Sequence, residues 1–465
     1  MDVRFASHNL QQESTKRFLL DDPHLKRLKS QPLVHHSTLV EELPIHIPGI
    51  YMLGGGRQVG KTTVLKQWMA HLLETGVTGQ AIGFFTGELI DDHHALTSLI
   101  QEFIQDNQSH GRSYLIIDEV TYIKDWNKAV KYAADSGWLE STILILTGSD
   151  LVILQEGLIL LPGRRGRAEK HDFHLYPLSF RETVLLKHGS AVRSKDTLLL
   201  DQEFQNYLVH GGFLTAINDM ARFGKIEIAT LRIYSDWIRG DILKRGKNEG
   251  FLKEILAAIL KHSGSQITWN VLCQSLSIDH PKTVVDYAEL LCRMDCLYIQ
   301  SALLEDKLTA APKKAKKLVL VDPFIQHAVA AYLMSQGASY SFEQHLLPQT
   351  THPESASKLV EAIVVSHYRR ITPTYYIKAE GEVDLAVLET VNSKKGFRPI
   401  EVKWSNQIRS KDLKQIRKYK NALVLSKTSQ TEIEGVQCEH LPSHLFDLLP
   451  SSCGRVGEPS VEGVF

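Results

Sequence analysis

The sequence of 465 residues has no excess of charge of either sign and no paired cysteines. Lysine and arginine together number 53, as do aspartate and glutamate. Any surface for nucleic acid must therefore be local rather than a property of the whole chain. The five cysteines form no CxxC pair and are odd in number, which indicates reduced thiols rather than a disulfide framework.

Long apolar runs are also missing. No stretch approaches the about 20 apolar residues that a membrane helix needs. The first residues lack the charged-then-apolar layout of a signal peptide. We therefore expect a cytoplasmic protein with no membrane partner.

Between residues 46 and 150, short apolar runs alternate with helical patterns. The candidate strands are Tyr51–Leu53, Ala81–Phe85, Tyr114–Ile117 and Thr142–Leu146. This alternation predicts an α/β fold with a parallel sheet and helices on both faces.

A glycine-rich octapeptide directly follows the first of these runs and matches the phosphate loop GxxxxGK[ST]. The backbone amides of such a loop surround phosphates, its lysine reaches the outer phosphates, and its hydroxyl holds Mg²⁺. The helical pattern after it places the phosphates at a helix N-terminus. The sequence thus predicts an ATP site with Mg²⁺, formed by Gly55, Gly56, Arg57, Gln58, Val59, Gly60, Lys61, Thr62 and Thr63.

Two acids, Asp118 and Glu119, end the third apolar run. We expect Asp118 to hold Mg²⁺ together with Thr62, and Glu119 to orient and deprotonate the attacking water, with Lys61 binding the phosphates. The alternative is that the two acids only cap the following helix. Thr147, at the end of the next run, is expected to contact the γ-phosphate or the water, as is Ser149; a hydroxyl that only satisfies a turn is an equal alternative.

A basic loop with Arg164 and Arg165 follows. Either guanidinium suits a charge-stabilising arginine finger that reaches a neighbouring subunit's site, and the sequence does not say which of the two acts. A solvated basic loop is the competing interpretation. The finger interpretation predicts a homo-oligomer, such as a hexameric ring.

Further along, three helical patterns in 251–294 precede two apolar strands at 296–299 and 318–321, a pattern typical of a winged helix. Its hairpin carries a lysine run that is a candidate nucleic-acid patch. A second basic group follows near the C-terminus, partly on an expected helix, and a solvated face is the alternative for both. The two groups comprise Lys313, Lys314, Lys316, Lys317, and Lys394, Lys395, Arg398, Arg409, Lys411, Lys414, Arg417, Lys418 and Lys420.

Four residues near the C-terminus have the spacing E…D…ExK. Glu361 lies on an expected helix, Asp384 on a strand, and Glu401 and Lys403 on a further strand. Strand residues two apart face one side, so Glu401 and Lys403 should share a pocket. Residues 389–398 form an expected polar turn, which would pair the two strands and bring Asp384 to Glu401. Glu361, Asp384 and Glu401 would bind Mg²⁺ or Mn²⁺, and Lys403 would polarise a water. Glu382, two residues before Asp384, shares its face and is an additional candidate ligand, unless it is too near the start of the strand to reach the ion. A surface ion pair between Glu401 and Lys403 is the alternative.

This last pattern resembles that of the PD-(D/E)XK nucleases. The chain as a whole resembles bacterial and archaeal AAA+ ATPases in which the P-loop domain is followed by a helical lid, a winged helix and a restriction-endonuclease-like domain. The resemblance is carried by the phosphate loop, Ile117–Tyr122, Gly163–Gly166, Tyr176–Glu182, Tyr207–Phe213 and Asp236–Ile242. Thr121 and Leu214 depart from that pattern, where glutamine and proline are common.

The resemblance implies six segments: a 1–45 extension with a helix at 23–30, a 46–184 AAA+ domain, a 185–250 lid, a 251–335 winged helix, a 336–430 nuclease-like domain, and a 431–465 tail. We expect an ATPase that moves or clamps nucleic acid, most simply DNA, for a Mg²⁺-dependent nuclease-like domain. A nucleotide-dependent switch that recruits a protein, and a motor whose nuclease fold only binds DNA, are the alternatives.

Overall fold

The computed structural model describes residues 3–108, 111–148, 151–334, 340–378, 381–391, 394–428 and 431–448. The chain divides into two compact units, Met1–Tyr176 and Pro177–Phe465, and each is described by itself. Within the described ranges, no helix combines the length and the apolar character needed to cross a membrane.

The first 45 residues are part of the N-terminal unit rather than an irregular extension. After two 3₁₀ turns they form helices α1 (Thr15–Asp21), α2 (Pro23–Lys29) and α3 (Leu39–Glu42). The predicted helix at 23–30 is confirmed and begins at Pro23, with Asp22 as its cap. Phe5, Phe18 and Leu25 are buried, so the segment contributes to the core.

A buried ion pair links this segment to the helix after the phosphate loop. Lys66 Nζ lies 3.1 Å from Asp22 Oδ2, and neither side chain is exposed. The same ammonium donates to His8 O at 2.7 Å and lies 4.0 Å from the centre of the Phe84 ring. Burial lowers the pKa of Lys66, and Asp22 opposes that shift.

Five strands and four helices complete the N-terminal unit. In chain order they are β1 (Gly49–Gly54), α4 (Lys61–Glu74), β2 (Ile82–Thr86), α5 (His93–Asn107), β3 (Ser113–Asp118), α6 (Trp126–Asp135), β4 (Thr142–Thr147), α7 (Leu151–Ile159) and β5 (Asp172–His174). The strands are all parallel, in the order β2-β3-β4-β1-β5. The central strands β1, β3 and β4 are buried along their whole length, as expected for a parallel sheet covered by helices.

The predicted parallel sheet and its first four strands are confirmed. The fifth strand was not predicted. It is three residues long and only Phe173 is buried, so its pattern is too short to read from sequence.

The C-terminal unit begins with helices α8 (Phe180–His188), α9 (Thr197–His210), α10 (Leu214–Phe223) and α11 (Ile228–Lys244). Gly211 separates α9 from α10 with φ of +56°. A Cβ there would lie 1.8 Å from Asp322 Oδ1, and Asp322 accepts a hydrogen bond from Gly212 N at 2.9 Å. Glycine is therefore required by both backbone and space.

The middle of this unit contains four helices, a three-stranded sheet and a two-stranded sheet. The elements are α12 (Glu249–His262), β6 (Gln266–Ile267), α13 (Trp269–Gln274), α14 (Pro281–Arg293), β7 (Leu297–Ser301), β8 (Leu303–Leu304), β9 (Thr309–Ala310), β10 (Lys316–Leu320) and α15 (Pro323–Met334). The three predicted helices are present. The expected two-stranded hairpin has a third strand, because β6 and β7 both pair antiparallel with β10.

A six-stranded sheet forms the C-terminal part. Its elements are α16 (Leu347–Thr351), α17 (Pro353–Tyr368), β11 (Thr374–Lys378), β12 (Glu382–Val391), β13 (Lys394–Lys403), β14 (Leu423–Ser426), β15 (Glu432–Ile433), β16 (Val436–His440) and α18 (Leu441–Asp447). The strand order is β11-β12-β13-β14-β16-β15. The first three strands are antiparallel, whereas β13, β14 and β16 are parallel to one another.

Two expectations for this region were wrong. The sheet does not end at residue 430, because β16 pairs with β14 and Leu441, Leu445 and Phe446 of α18 are buried. The basic segment from 409 to 420 is not a helix but two 3₁₀ turns, Ser410–Leu413 and Ile416–Lys418. Its buried Leu413 and Ile416 are three residues apart, a spacing that 3₁₀ turns and α-helices share.

Candidate functional site

The phosphate loop lies between the end of β1 and the start of α4, as the motif predicts. Gly55 (φ +145°), Gln58 (+60°) and Gly60 (+106°) give the loop a left-handed backbone. Such turns direct successive N–H groups toward one concave side, which favours anions. A Cβ on Gly55 would lie 2.5 Å from Leu175 O, so only glycine fits this passage. The other predicted loop residues, Gly56, Arg57, Val59, Lys61, Thr62 and Thr63, lie in the loop or the first turn of α4.

Lys61 bends back over this loop. Its Nζ donates to Gly55 O at 2.9 Å and to Gly56 O at 3.1 Å, and it lies 3.6 Å from Glu119 Oε1. The side chain is 5% exposed. The ammonium therefore lies at the mouth of the loop, held mainly by neutral carbonyl groups that phosphate oxygens can replace.

Asp118 lies at the end of β3 directly beside Thr62. Thr62 Oγ1 donates to Asp118 Oδ2 at 2.7 Å. Two neighbouring ligands of an octahedral Mg²⁺ are about 2.9 Å apart, since each bond is 2.0–2.1 Å long. This hydroxyl and this carboxylate therefore fit as two ligands of one Mg²⁺, as the sequence predicted.

Thr147 has a different partner from the predicted phosphate. Its hydroxyl donates to Asp118 Oδ1 at 2.6 Å and accepts from Glu119 N at 2.8 Å. The side chain is fully buried and its one hydroxyl hydrogen is used on Asp118. Thr147 thus positions the two acids. Ser149, the other candidate for a phosphate contact, lies outside the described residues.

Glu119 has a left-handed backbone, with φ of +55° and ψ of +47°. This conformation is costly for a residue with a Cβ and persists where the surroundings impose it. Here the hydrogen bond to Thr147 helps to hold it. The conformation directs the carboxylate toward Lys61 and the phosphate loop.

A contact that was not predicted from the sequence joins the phosphate loop to the motif that contains Asp118 and Glu119. Arg57 Nη2 donates to the hydroxyl of Tyr122 at 2.7 Å, which connects the phosphate loop to the turn after Glu119. The signal was available, because both residues lie inside the recognised motifs, but their pairing depends on the fold.

Arg164 and Arg165 each form a double ion pair within their own unit. Arg164 contacts Asp135 at 2.5 and 3.2 Å, and Arg165 contacts Asp172 at 2.5 and 3.1 Å. Arg165 also donates to Ile50 O, near the start of β1. The phosphate loop follows the other end of that strand, about 16 Å away. Neither arginine is therefore placed to act on the phosphate loop of its own chain.

In the C-terminal unit, three carboxylates converge. Oxygens of Glu361 on α17 and of Glu382 and Asp384 on β12 all lie within 4.8 Å of one another. The buried ammonium of Lys317 lies among them, 2.7 Å from Glu361 Oε1, 3.7 Å from Asp384 Oδ1 and in contact with Glu382 Oε1. Burial lowers the pKa of Lys317, but the carboxylates more than offset this, so its pKa is raised. Burial raises the pKa of Glu361.

The predicted ExK pair lies beside this cluster. Leu385 pairs with Ile400, so Asp384 and Glu401 follow one residue further along the two strands. Asp384 Oδ2 accepts from Val402 N at 2.9 Å. Glu401 Oε1 contacts Lys403 Nζ at 2.5 Å. Burial and the nearby Asp384 raise the pKa of Glu401.

The predicted ligand set, Glu361, Asp384 and Glu401, thus differs from the observed cluster. Glu382 takes the place of Glu401, which is held by Lys403. As arranged, the cluster does not fit a divalent ion, because the Lys317 ammonium already contacts all three carboxylates. Sequence reasoning missed Lys317, which it placed in an exposed basic run.

The two basic groups differ in how exposed their side chains are. Lys317 is fully buried and Lys316 is 9% exposed, so the expected lysine patch on the hairpin was wrong for these two. Lys316 Nζ donates to Ala311 O at 3.0 Å instead. The second group is exposed over most of its length, at Lys395, Arg409, Lys411, Lys414, Arg417, Lys418 and Lys420.

Comparisons with known families agree with the geometry of the N-terminal unit. Residues 48–184 match the family described as AAA domain. Residues 48–184 are thus similar in sequence to an AAA domain, and they carry a phosphate loop at the end of β1 in a five-stranded parallel sheet. Residues 201–336 match a domain of unknown function (DUF8612).

One curated relative is an uncharacterised protein of Haemophilus influenzae, 26% identical over 242 residues. The match covers 50% of this chain and 56% of that protein, so it spans about half of each. The solved structures include the Walker-type ATPase PABY2304 of Pyrococcus abyssi, at 15% identity and a TM-score of 0.42, covering 60% of this chain and 91% of that one. The Aeropyrum pernix ORC2 protein, with ADPNP and ADP, gives 12% identity and a TM-score of 0.35 over 71% and 95%. TM-scores below 0.5 do not establish a common fold.

Proposed function

We propose that the N-terminal unit binds ATP with Mg²⁺ and hydrolyses it. The observation that carries this proposal is the 2.7 Å contact between the Thr62 hydroxyl and the Asp118 carboxylate. It joins the phosphate loop to the acidic strand end at the spacing of two Mg²⁺ ligands. When bound, Mg²⁺ would neutralise charge on the β- and γ-phosphates.

The chain's own residues have distinct roles in this proposal. The loop amides and Lys61 bind the phosphates, while Thr62 and Asp118 hold the metal. Glu119 accepts a proton from the attacking water, and Thr147 keeps Asp118 and Glu119 in place.

A phosphate-release assay tests this assignment. Glu119→Gln should bind ATP with unchanged affinity but lose at least about 100-fold in turnover, since general-base catalysis contributes 10²–10⁴-fold. Glu140→Gln, at an exposed position of the same unit, is the matched control and should turn over like the parent. Normal turnover by Glu119→Gln would remove Glu119 from the mechanism.

We further propose that ATP turnover acts on nucleic acid, most simply DNA, through a homo-oligomer. The exposed basic segment at 409–420 supports a polyanionic partner. The cluster of Glu361, Glu382 and Asp384, with the Glu401–Lys403 pair beside it, supports a nuclease-like C-terminal domain. The oligomer follows from the arginine finger, because Arg165, which contacts Ile50 O, could act as one only at a neighbour's phosphate loop. Under this proposal 251–335 acts as a winged helix and 185–250 as a lid.

Two alternatives from the sequence remain to be separated. A switch that recruits a protein should hydrolyse ATP slowly without stimulation by DNA. A motor with a non-cutting nuclease fold should show DNA-stimulated ATPase and no cleavage with Mg²⁺ or Mn²⁺, and the contact of Lys317 with the acidic cluster favours it. ATPase and cleavage assays with duplex, single-stranded and branched DNA distinguish the three.

Charge reversal in the basic segment tests the DNA surface directly. Lys411→Glu with Lys414→Glu should weaken DNA binding and make it less salt-dependent, with a slope of log K against log salt lower by about 0.9 per lost phosphate contact. Lys195→Glu, also exposed in this unit, should behave like the parent. Equal salt slopes for all three proteins would argue against this surface.

A further inference from the structure

We infer that Lys317 closes the acidic cluster of the C-terminal unit by supplying its cation from within the chain. Its ammonium takes the position that a divalent ion would need, so Mg²⁺ or Mn²⁺ can bind Glu361, Glu382 and Asp384 only when Lys317 has left. This inference deepens the proposed nuclease-like function, since it concerns the same carboxylates.

Because of the contacts of Lys317, its ammonium and a metal ion cannot occupy the cluster at the same time. A divalent ion bound to these carboxylates would lie about 2.0–2.6 Å from their oxygens, in the volume between them. Lys317 Nζ occupies that volume, 2.7 Å from Glu361 Oε1 and in contact with Glu382 Oε1. The ammonium and the metal would compete for the same oxygen lone pairs and would repel each other.

Lys317 is held there by a row of side chains rather than by chance. It lies on the central strand β10 and pairs directly with Gln266 of β6 and Gln300 of β7. Directly opposite residues of an antiparallel sheet project to the same face. All three face the acidic cluster, and we call them the Gln–Lys–Gln row.

Both glutamines bond to the strand that carries two of the acids. Gln266 Nε2 donates to Glu382 Oε2, and Gln300 Nε2 donates to Asp384 O at 3.1 Å and to Tyr375 O at 3.1 Å. Gln300 is fully buried, as is Tyr376, whose hydroxyl donates to Ala315 O at 2.6 Å. The row is therefore a continuous polar contact between the small sheet and the acidic cluster.

The same row suggests how the site would open. Lys317, Gln266 and Gln300 belong to one small sheet, so the three side chains would leave the carboxylates together if that sheet moved. Withdrawal would leave three close, partly buried carboxylates without a cation, an arrangement that favours the binding of a divalent one. The site would then be under the control of the 251–335 segment.

Manganese binding to the full-length protein, without nucleotide, tests the inference by electron paramagnetic resonance and thermal unfolding. The parent should hold no Mn²⁺ that depends on Asp384, so Asp384→Asn should leave its Mn²⁺ binding unchanged. Lys317→Met, which keeps the length of the side chain, should gain about one bound Mn²⁺ per chain and should be stabilised by it. Adding Asp384→Asn to Lys317→Met should abolish that gain. Lys317→Arg, which keeps the cation, should bind like the parent.

Two results would overturn the inference: Mn²⁺ bound by the parent and lost in Asp384→Asn, or a folded Lys317→Met that gains no Mn²⁺. If Lys317→Met folds only with Mn²⁺, the inference is supported. If it folds under neither condition, the parent and Asp384→Asn still decide. A DNA cleavage arm separates this inference from the proposed function. Lys317→Met that binds Mn²⁺ without cutting supports closure and defeats the nuclease, whereas Asp384-dependent cutting of DNA by a parent that binds no Mn²⁺ in the absence of DNA supports both.

Discussion

Two groups of acids, each accompanied by a lysine, have opposite access to a cation. Asp118 is held by the hydroxyls of Thr62 and Thr147, which are neutral, so its charge remains available to a metal ion. The carboxylates around Lys317 are held by an ammonium, which already supplies a positive charge.

The two lysines differ in the same way. Lys61 donates to the carbonyls of Gly55 and Gly56, contacts that phosphate oxygens can replace with a gain in charge pairing. Lys317 would have to give up ion pairs with three carboxylates. A lysine near acids therefore indicates a binding site or a closed site according to which groups it contacts.

The largest expected effect follows the removal of Lys317 from the acidic cluster. Lys317→Ala should lower the free energy of unfolding by about 3–5 kcal/mol in the absence of metal, because it removes a fully buried cation from three close, partly buried carboxylates. Urea denaturation measures this change. Lys313→Ala, at an exposed position of the same run, is the control and should have almost no effect. A loss below about 1 kcal/mol would show that Lys317 is not paired as described.

Removing the first lysine should affect binding rather than stability. Lys61→Met should weaken ATP binding by about 1.5–3 kcal/mol, or roughly 10- to 150-fold, the range for hydrogen bonds to charged groups. The free energy of unfolding should change by about 1 kcal/mol, since two hydrogen bonds to carbonyls and a 3.6 Å contact with the partly exposed Glu119 are lost. Calorimetric titration with ATP and urea unfolding measure the two. A loss of stability as large as that expected for Lys317→Ala would contradict the proposed difference between Lys61 and Lys317.

Thr147 offers a smaller effect that sharpens the assignment of the ATP site. Thr147→Val should cost about 1–3 kcal/mol of stability, because Glu119 N and Asp118 Oδ1 lose a buried partner. Turnover should fall while ATP affinity changes little, since the hydroxyl holds acids and not phosphate. Thr147→Ser keeps the hydroxyl and should retain activity. A large loss of ATP affinity in Thr147→Val would favour the phosphate contact predicted from sequence.

The arginines should have the smallest effect on an isolated chain. Arg164→Ala with Arg165→Ala should leave ATP affinity unchanged but impair turnover in the oligomer. In a one-to-one mixture with Lys61→Ala, half of the phosphate loops are intact, and half of these face a subunit with intact arginines. The mixture should therefore recover about a quarter of parental activity. No recovery on mixing, with both variants still oligomeric, would leave these residues as structural ion pairs.

The sequence was a good guide where the chemistry is local. The phosphate loop and the acids of β3 were predicted because strand, loop and helix follow one another within a fixed spacing. Asp384 and Glu401 were predicted as neighbours on paired strands joined by a polar turn at 389–398, and the register agrees. The extent of that turn was wrong, because β12 continues to Val391 and β13 begins at Lys394. These inferences needed only the order of residues along one or two adjacent elements.

Prediction from the sequence failed for contacts between segments that are distant along the chain. Lys317 lies 44 residues before Glu361, and its run of lysines has the composition of a solvated surface. Its burial depends on the pairing of β10 with β6 and β7, which no local pattern specifies. Thr147 was recognised as functional, but its partner could not be chosen, since hydroxyls near phosphate and near acids have the same sequence signature.

The buried pair of Lys66 and Asp22 has a consequence for evolution and engineering of this fold. Helix α4 begins with Lys61 and Thr62, and one turn later it carries an ammonium whose counter-charge lies some forty positions upstream. A chain trimmed to start at β1 would lose that counter-charge together with His8 O, and it would expose the apolar face of α4 that Phe18 and Leu25 cover. The first 45 residues thus stabilise helix α4, and they should be kept with it in any engineered version of this domain.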